Sequence, residues 1–72
     1  MVNIVQIGYG YWGANVARNI AASEKTNLCA LVDTRKDRLQ LAERNFRNLV
    51  EYQTDFTPYL NDPNVDAFAL AI

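Results

Sequence analysis

The stretch Val2-Asn3-Ile4-Val5-Gln6-Ile7-Gly8-Tyr9-Gly10-Tyr11-Trp12-Gly13 decides how this 72-residue chain folds. Val2 to Ile7 is an apolar run of strand length that stops at Gly8. From Trp12 to about Glu24 the apolar positions Val16, Ala17, Ile20 and Ala21 recur at helical spacing. A strand thus runs through a glycine turn straight into a helix. Working outward, Leu28 to Val32 (LCALV) is a second apolar run, closed by Asp33. Thr34-Arg35-Lys36-Asp37 then reads as a weak capping box, with Asp in place of the usual Glu or Gln. The helix it opens puts Leu39, Ala42 and Phe46 on one face and ends near Asn45 to Asn48. Leu49 to Gln53 is a short strand, and Thr57-Pro58 an N-cap with proline at the first position of a helix of roughly one turn. After the turn cluster Asn61-Asp62-Pro63-Asn64, Val65 to Ile72 is a last strand, apolar on both faces beyond Asp66, as in the interior of a parallel sheet.

The order β-α-β-α-β-α-β with short connections predicts an α/β fold with a parallel sheet of about four strands and flanking helices. With Rossmann topology the strand order is 3-2-1-4. A doubly wound domain usually continues past such a strand. Residues 1–72 are therefore expected to be the N-terminal part of a dinucleotide-binding domain, with the rest of that domain and any substrate domain lying outside them.

Composition narrows the function. Half the residues are hydrophobic and 21% charged, which suits a globular chain. Seven basic against eight acidic residues argue against a nucleic-acid binder. No apolar run approaches the ~20 residues of a membrane span. One cysteine cannot form an internal disulfide and suits a reducing, cytoplasmic setting. The chain has no histidine, so the commonest general base and metal ligand is missing. No catalytic residue and no metal site is assigned; the carboxylates Glu51, Asp55, Asp62 and Asp66 fall in turns and caps.

The glycines carry the chemistry. Gly8 permits a tight turn out of the strand, Gly10 lets a pyrophosphate approach the backbone, and Gly13 allows close packing of helix on sheet. The N–H groups at the helix start and the positive end of its dipole would hold the phosphates. Asp33, twenty residues after Gly13, stands where a carboxylate accepts hydrogen bonds from ribose hydroxyls and repels a 2′-phosphate. That favours NAD. Against it, Arg35, Lys36 and Arg38 could reach a 2′-phosphate, leaving NADP open, or form a solvated helix face. The expected cofactor site is Gly8, Tyr9, Gly10, Tyr11, Trp12, Gly13, Asp33, Thr34, Arg35 and Arg38. Tyr11 and Trp12 either line the groove or pack the loop onto the sheet. Cys29 reads as a small buried hydrophobe, and Tyr52, Tyr59, Phe56 and Phe68 as core or edge packing.

Gly8-Tyr9-Gly10-Tyr11-Trp12-Gly13, with Asn15 and Arg18-Asn19, closely resembles the opening of the glucose–fructose oxidoreductase/inositol dehydrogenase family, the Gfo/Idh/MocA oxidoreductases. Val32-Asp33 with Arg38-Leu39, then Thr54-Asp55-Phe56, Leu60 and Asp62-Pro63-Asn64-Val65-Asp66-Ala67, extend the likeness over essentially the whole chain. The resemblance implies hydride transfer between a nicotinamide cofactor and a sugar, sugar nucleotide or cyclitol. It also implies a catalytic lysine in a Glu-Lys-Pro segment and a C-terminal substrate domain, neither present here; Lys25 and Lys36 are wrongly placed to substitute. The chain alone is therefore expected to be inactive, with self-association through an exposed fourth strand. Two other readings remain: a non-catalytic NAD-sensing module, and a Rossmann module for another adenosine cofactor such as FAD or S-adenosylmethionine.

Overall fold

The computed structural model describes residues 1–72. Strand β1 (Val2–Ile7) leads through the glycine turn into helix α1 (Tyr11–Ala22), followed by β2 (Thr26–Val32) and α2 (Lys36–Phe46). A 3-10 turn at Arg47–Leu49, β3 (Glu51–Gln53), a second 3-10 turn at Thr57–Tyr59 and β4 (Ala67–Leu70) complete the chain. All pairings are parallel and the order is β3-β2-β1-β4, the partial Rossmann arrangement expected from the alternation.

Both helices cover one face of the sheet. Tyr9, Ala17, Leu28, Leu31 and Ala42 form its buried cluster, with Ala14, Ile20, Phe46, Val50 and Tyr52 packed around them. The register of β1 against β2 slips between Ile4 and Val5, so that Ile4 faces Leu28 but Val5 faces Ala30. This irregularity puts Leu28 and Leu31, three residues apart, under the same helices, where strict alternation would separate them. On α1 the residues buried against the sheet are Gly13 and Ala17, with Ile20 half-buried; Ala21 turns outward. The other face holds Val5, Ala30, Val32 and Tyr59, with Ile7, half-buried Cys29 and Val65 beside them. Burial pushes the Cys29 thiol above its ordinary value, as suits a packing residue more than a nucleophile.

Two caps differ from expectation. The N-cap of α2 is Arg35, with no side-chain cap bond of its own. Thr34 and Asp37 form no capping box. Instead Asp33 Oδ1 accepts the Arg35 N–H at 2.9 Å, an Asx turn that leads the chain into the helix at its N-cap. Likewise the turn at Thr57 is held by Asp55, whose Oδ1 accepts both the N–H and the hydroxyl of Thr57. The last strand is exposed, as expected of the fourth strand in this order. β4 pairs only with β1, and Phe68, Leu70 and Ile72 are exposed at 37%, 68% and 99%.

Tyr59 anchors the thinly covered face. Its phenol donates to Glu51 Oε1 at 2.8 Å. Burial, and then the Glu51 carboxylate, push that phenol well above its ordinary value. A group whose folded pKa is raised contributes stability below its unfolded pKa, and that contribution is lost as pH climbs towards the folded value. Between about pH 8 and 11 the melting temperature should therefore hold until pH nears the ordinary tyrosine pKa near 10 and fall beyond it. Tyr59→Phe should flatten this fall, leaving a remainder from Tyr52, which burial also raises. The variant should cost about 1 kcal/mol at neutral pH for the lost hydrogen bond. Thermal denaturation followed by circular dichroism across that range checks both effects.

Candidate functional site

The site lies where the C-terminal end of β1 meets its two neighbours, β2 and β4. The chain crosses from β1 to one side and returns on the other, so a crevice opens above the strand ends. Gly8 turns there with φ of 101°, a conformation that favours glycine. Its N–H donates to the Val32 carbonyl at 2.7 Å, and Ala71 N–H donates to the Ile7 carbonyl at 2.8 Å. A Cβ on Gly8 would lie 2.5 Å from the Ala71 carbonyl oxygen, so both neighbouring strand ends crowd this turn.

Helix α1 begins at once. Gly10 is its N-cap, with no side-chain cap bond and no acidic residue in the first turn. The N–H groups of Tyr11, Trp12 and Gly13 have no partner within the chain. Open donors at the positive end of a twelve-residue helix are chemically suited to receive an anion. Gly13 serves packing: a Cβ there would lie 2.6 Å from the Gly8 carbonyl oxygen. At Gly10 a Cβ would meet only the flexible Arg38 guanidinium, 3.4 to 3.6 Å away. Gly8 thus makes the turn and Gly13 the close packing, while Gly10 faces a movable side chain.

Asp33 faces this loop from the end of β2. It is buried, and its Oδ2 accepts the Tyr9 N–H at 2.8 Å while Oδ1 accepts the Arg35 N–H. Arg38 Nη1 lies 3.6 Å from Oδ2, an ion-pair distance longer than a hydrogen bond. Each carboxylate oxygen accepts more than one hydrogen bond, so capacity remains for hydroxyl donors.

The other candidates divide. Arg38 and Thr34 line a cavity of about 280 Å³ with Asp33, Gly8 and Thr54, and Arg38 also borders a second, of about 530 Å³, with Gly10, Tyr11 and Asn15. Arg35 turns aside: its guanidinium pairs with Asp37 at 2.8 Å in solvent and borders neither cavity. The Tyr9 side chain is core, with its hydroxyl accepting from Asn45 Nδ2 at 2.9 Å and its ring edge-on to Phe46. Tyr9 meets the crevice through its backbone. Tyr11 and Trp12, 84% and 71% exposed, stack edge-to-face on each other, which removes the alternative that they pack the loop onto the sheet. The sequence reading passed over Gln6. It is fully buried, and its Nε2 donates at 2.8 Å to the carbonyls of both Gly8 and Gly13. Its only signal was a lone amide in an apolar strand.

No group of His, Cys, Asp or Glu is arranged to hold a metal, and no helix is long and apolar enough to cross a membrane.

No family model matches the chain, and no curated protein does. Among solved structures it is similar to a probable dehydrogenase from Thermotoga maritima, with a TM-score of 0.81 and 30% identity over 97% of this chain. It is also similar to myo-inositol dehydrogenase from Lactobacillus casei in complex with NAD(H) and myo-inositol (TM-score 0.78, 26% identity, 99% of this chain). Scyllo-inositol dehydrogenase from the same organism, with bound NAD(H) and scyllo-inositol, shares the fold (TM-score 0.79, 24% identity, 100% of this chain). The chain spans 21% of the length of each of them. The likeness to inositol dehydrogenases read from the sequence is thus met by these neighbours, with which the chain shares the partial Rossmann fold.

The glycine geometry makes a matched pair of variants informative. Gly10→Ala should change stability by less than about 1 kcal/mol, because only a movable side chain stands in the way. Gly13→Ala should destabilise by roughly 1–3 kcal/mol, because the contact is with backbone. Urea unfolding of the two variants beside the unmodified chain tests this; equal losses would contradict the division of roles.

Proposed function

We propose that this chain is the NAD(H)-binding part of a Gfo/Idh/MocA-type oxidoreductase that acts on a sugar, sugar nucleotide or cyclitol. The observation that carries the reading is the uncapped start of α1 beside Gly10, with the buried Asp33 carboxylate facing the same loop. When bound, NAD would supply the hydride acceptor. The chain's own residues would do the holding: N–H groups of Tyr11, Trp12 and Gly13 on the pyrophosphate, Asp33 on the ribose hydroxyls, and Gly10 leaving room between. Thr34 and Arg38 would border the adenosine end. No residue here is assigned a catalytic role; on this reading the proton-transfer lysine and the substrate contacts belong to a further part of the protein. The proposed setting is the cytoplasm, where a single thiol stays reduced. The exposed apolar edge of β4 fits pairing with a second copy, for which a light-scattering mass that rises with concentration is the signature.

Asp33 sets the cofactor preference. A 2′-phosphate would bring negative charge against a buried carboxylate, so NAD should bind at least tenfold more tightly than NADP, about 1.4 kcal/mol. Asp33→Ser should narrow that ratio by about tenfold, with Arg38 then free to meet the phosphate. The variant also loses the carboxylate's bonds to the Tyr9 and Arg35 N–H groups, but that loss weakens both cofactors and cancels in the ratio. Calorimetric titration of both dinucleotides measures it. Tighter NADP binding by the unmodified chain would contradict the role given to Asp33.

A further inference from the structure

We infer that Gln6 is a positioning residue for the dinucleotide loop, its buried amide tying together the carbonyls at the two ends of the segment Gly8–Gly13. The inference rests on the nucleotide-binding reading above. Gln6 Nε2 has two hydrogens and spends both, on Gly8 O and Gly13 O, each at 2.8 Å. The opposite orientation of the amide would set Oε1 against two carbonyl oxygens, so the orientation follows from the partners. Oε1 itself is buried and has no partner.

That unmet acceptor is informative. Leucine or methionine would fill the same place in β1 without stranding Oε1, but would leave the buried Gly8 carbonyl without its donor, so packing alone does not account for a glutamine here. What the glutamine alone supplies is a double donor at the loop's base. An ionised glutamate would repel both carbonyls. With the two carbonyls drawn onto one amide inside the fold, neither is free to turn its oxygen towards an arriving phosphate. The uncapped N–H groups of Tyr11, Trp12 and Gly13 then meet the anion from a loop already in shape. Gly13 O belongs to the first turn of α1 and Gly8 O to the residue just after β1, so the tie also sets the angle at which helix leaves strand.

The test reads the tie and its purpose separately. In the unmodified chain, nitrogen-15 labelled, the side-chain amide protons of Gln6 should exchange with water at least a hundredfold more slowly than those of exposed Gln40 and Gln53. In Gln6→Met the hydrogen-bonded loop amides, Tyr9 on Asp33 and Ala14 on the Gly10 carbonyl, should exchange at least tenfold faster. ADP-ribose, which carries the pyrophosphate, should bind at least tenfold more weakly to that variant, while the affinity for adenosine should change less than twofold. A merely structural glutamine would lower the melting temperature and leave the ratio of the two affinities unmoved. Exchange at Gln6 as fast as at Gln40, or a folded Gln6→Met with unchanged loop exchange and an unchanged ratio, overturns the inference. If Gln6→Met does not fold, the exchange at Gln6 in the unmodified chain decides it. An unmodified chain that binds neither NAD nor ADP-ribose overturns the nucleotide-binding reading instead, and the exchange rates still decide the tie.

Discussion

The carboxylate of Asp33 holds this structure's working end together. It stands at the end of β2, almost wholly buried, and each oxygen receives a backbone N–H: Tyr9 from the glycine loop and Arg35 from the start of α2. Its own N–H donates to the Gln53 carbonyl at the end of β3. Three segments distant in sequence therefore converge on one residue. A buried charge is costly unless paired, and charge-assisted bonds of this kind are about twice as strong as neutral ones. The residue proposed to read the ribose is thus also the one that fixes the loop and the helix around the crevice. Function and architecture share a side chain.

The rest of the crevice follows from that arrangement. With Tyr9 drawn to Asp33 by its N–H, its ring drops into the core against Phe46, leaving only backbone at the surface. Gly8 can then turn at positive φ between the ends of β2 and β4, and Gly13 can sit against the Gly8 carbonyl. Gln6 closes the same loop from beneath. What remains open is the first turn of α1, beside Arg38. The glycines remove bulk, Asp33 and Gln6 supply order, and the helix supplies the donors.

Much of this could be read before any coordinates. A glycine triplet at a strand–helix junction with an acid at the next strand's end leaves few folds to choose from, and the strand order 3-2-1-4 followed from the alternation. The details that escaped share a cause: they depend on which groups meet across the fold. Thr34 and Asp37 look like a cap in sequence, but Asp33 reaches the Arg35 N–H first, and Asp37 is taken by the Arg35 guanidinium. The slip between Ile4 and Val5 is a property of pairing, invisible in either strand alone. Tyr11 and Trp12 carry bulk that usually packs, and yet they lie outside, on each other.

The central claim is that the open start of α1 and the Asp33 carboxylate together seat one dinucleotide. The most direct measurement is a titration of the nitrogen-15 labelled chain with NAD, following backbone amide resonances. The account predicts that the largest shifts fall on residues 8–14 and 33–38 in one saturable process, with little change at the far ends of β1 and β2 around Asn3 and Asn27. Shifts centred away from both segments, or none at saturating NAD, would contradict it.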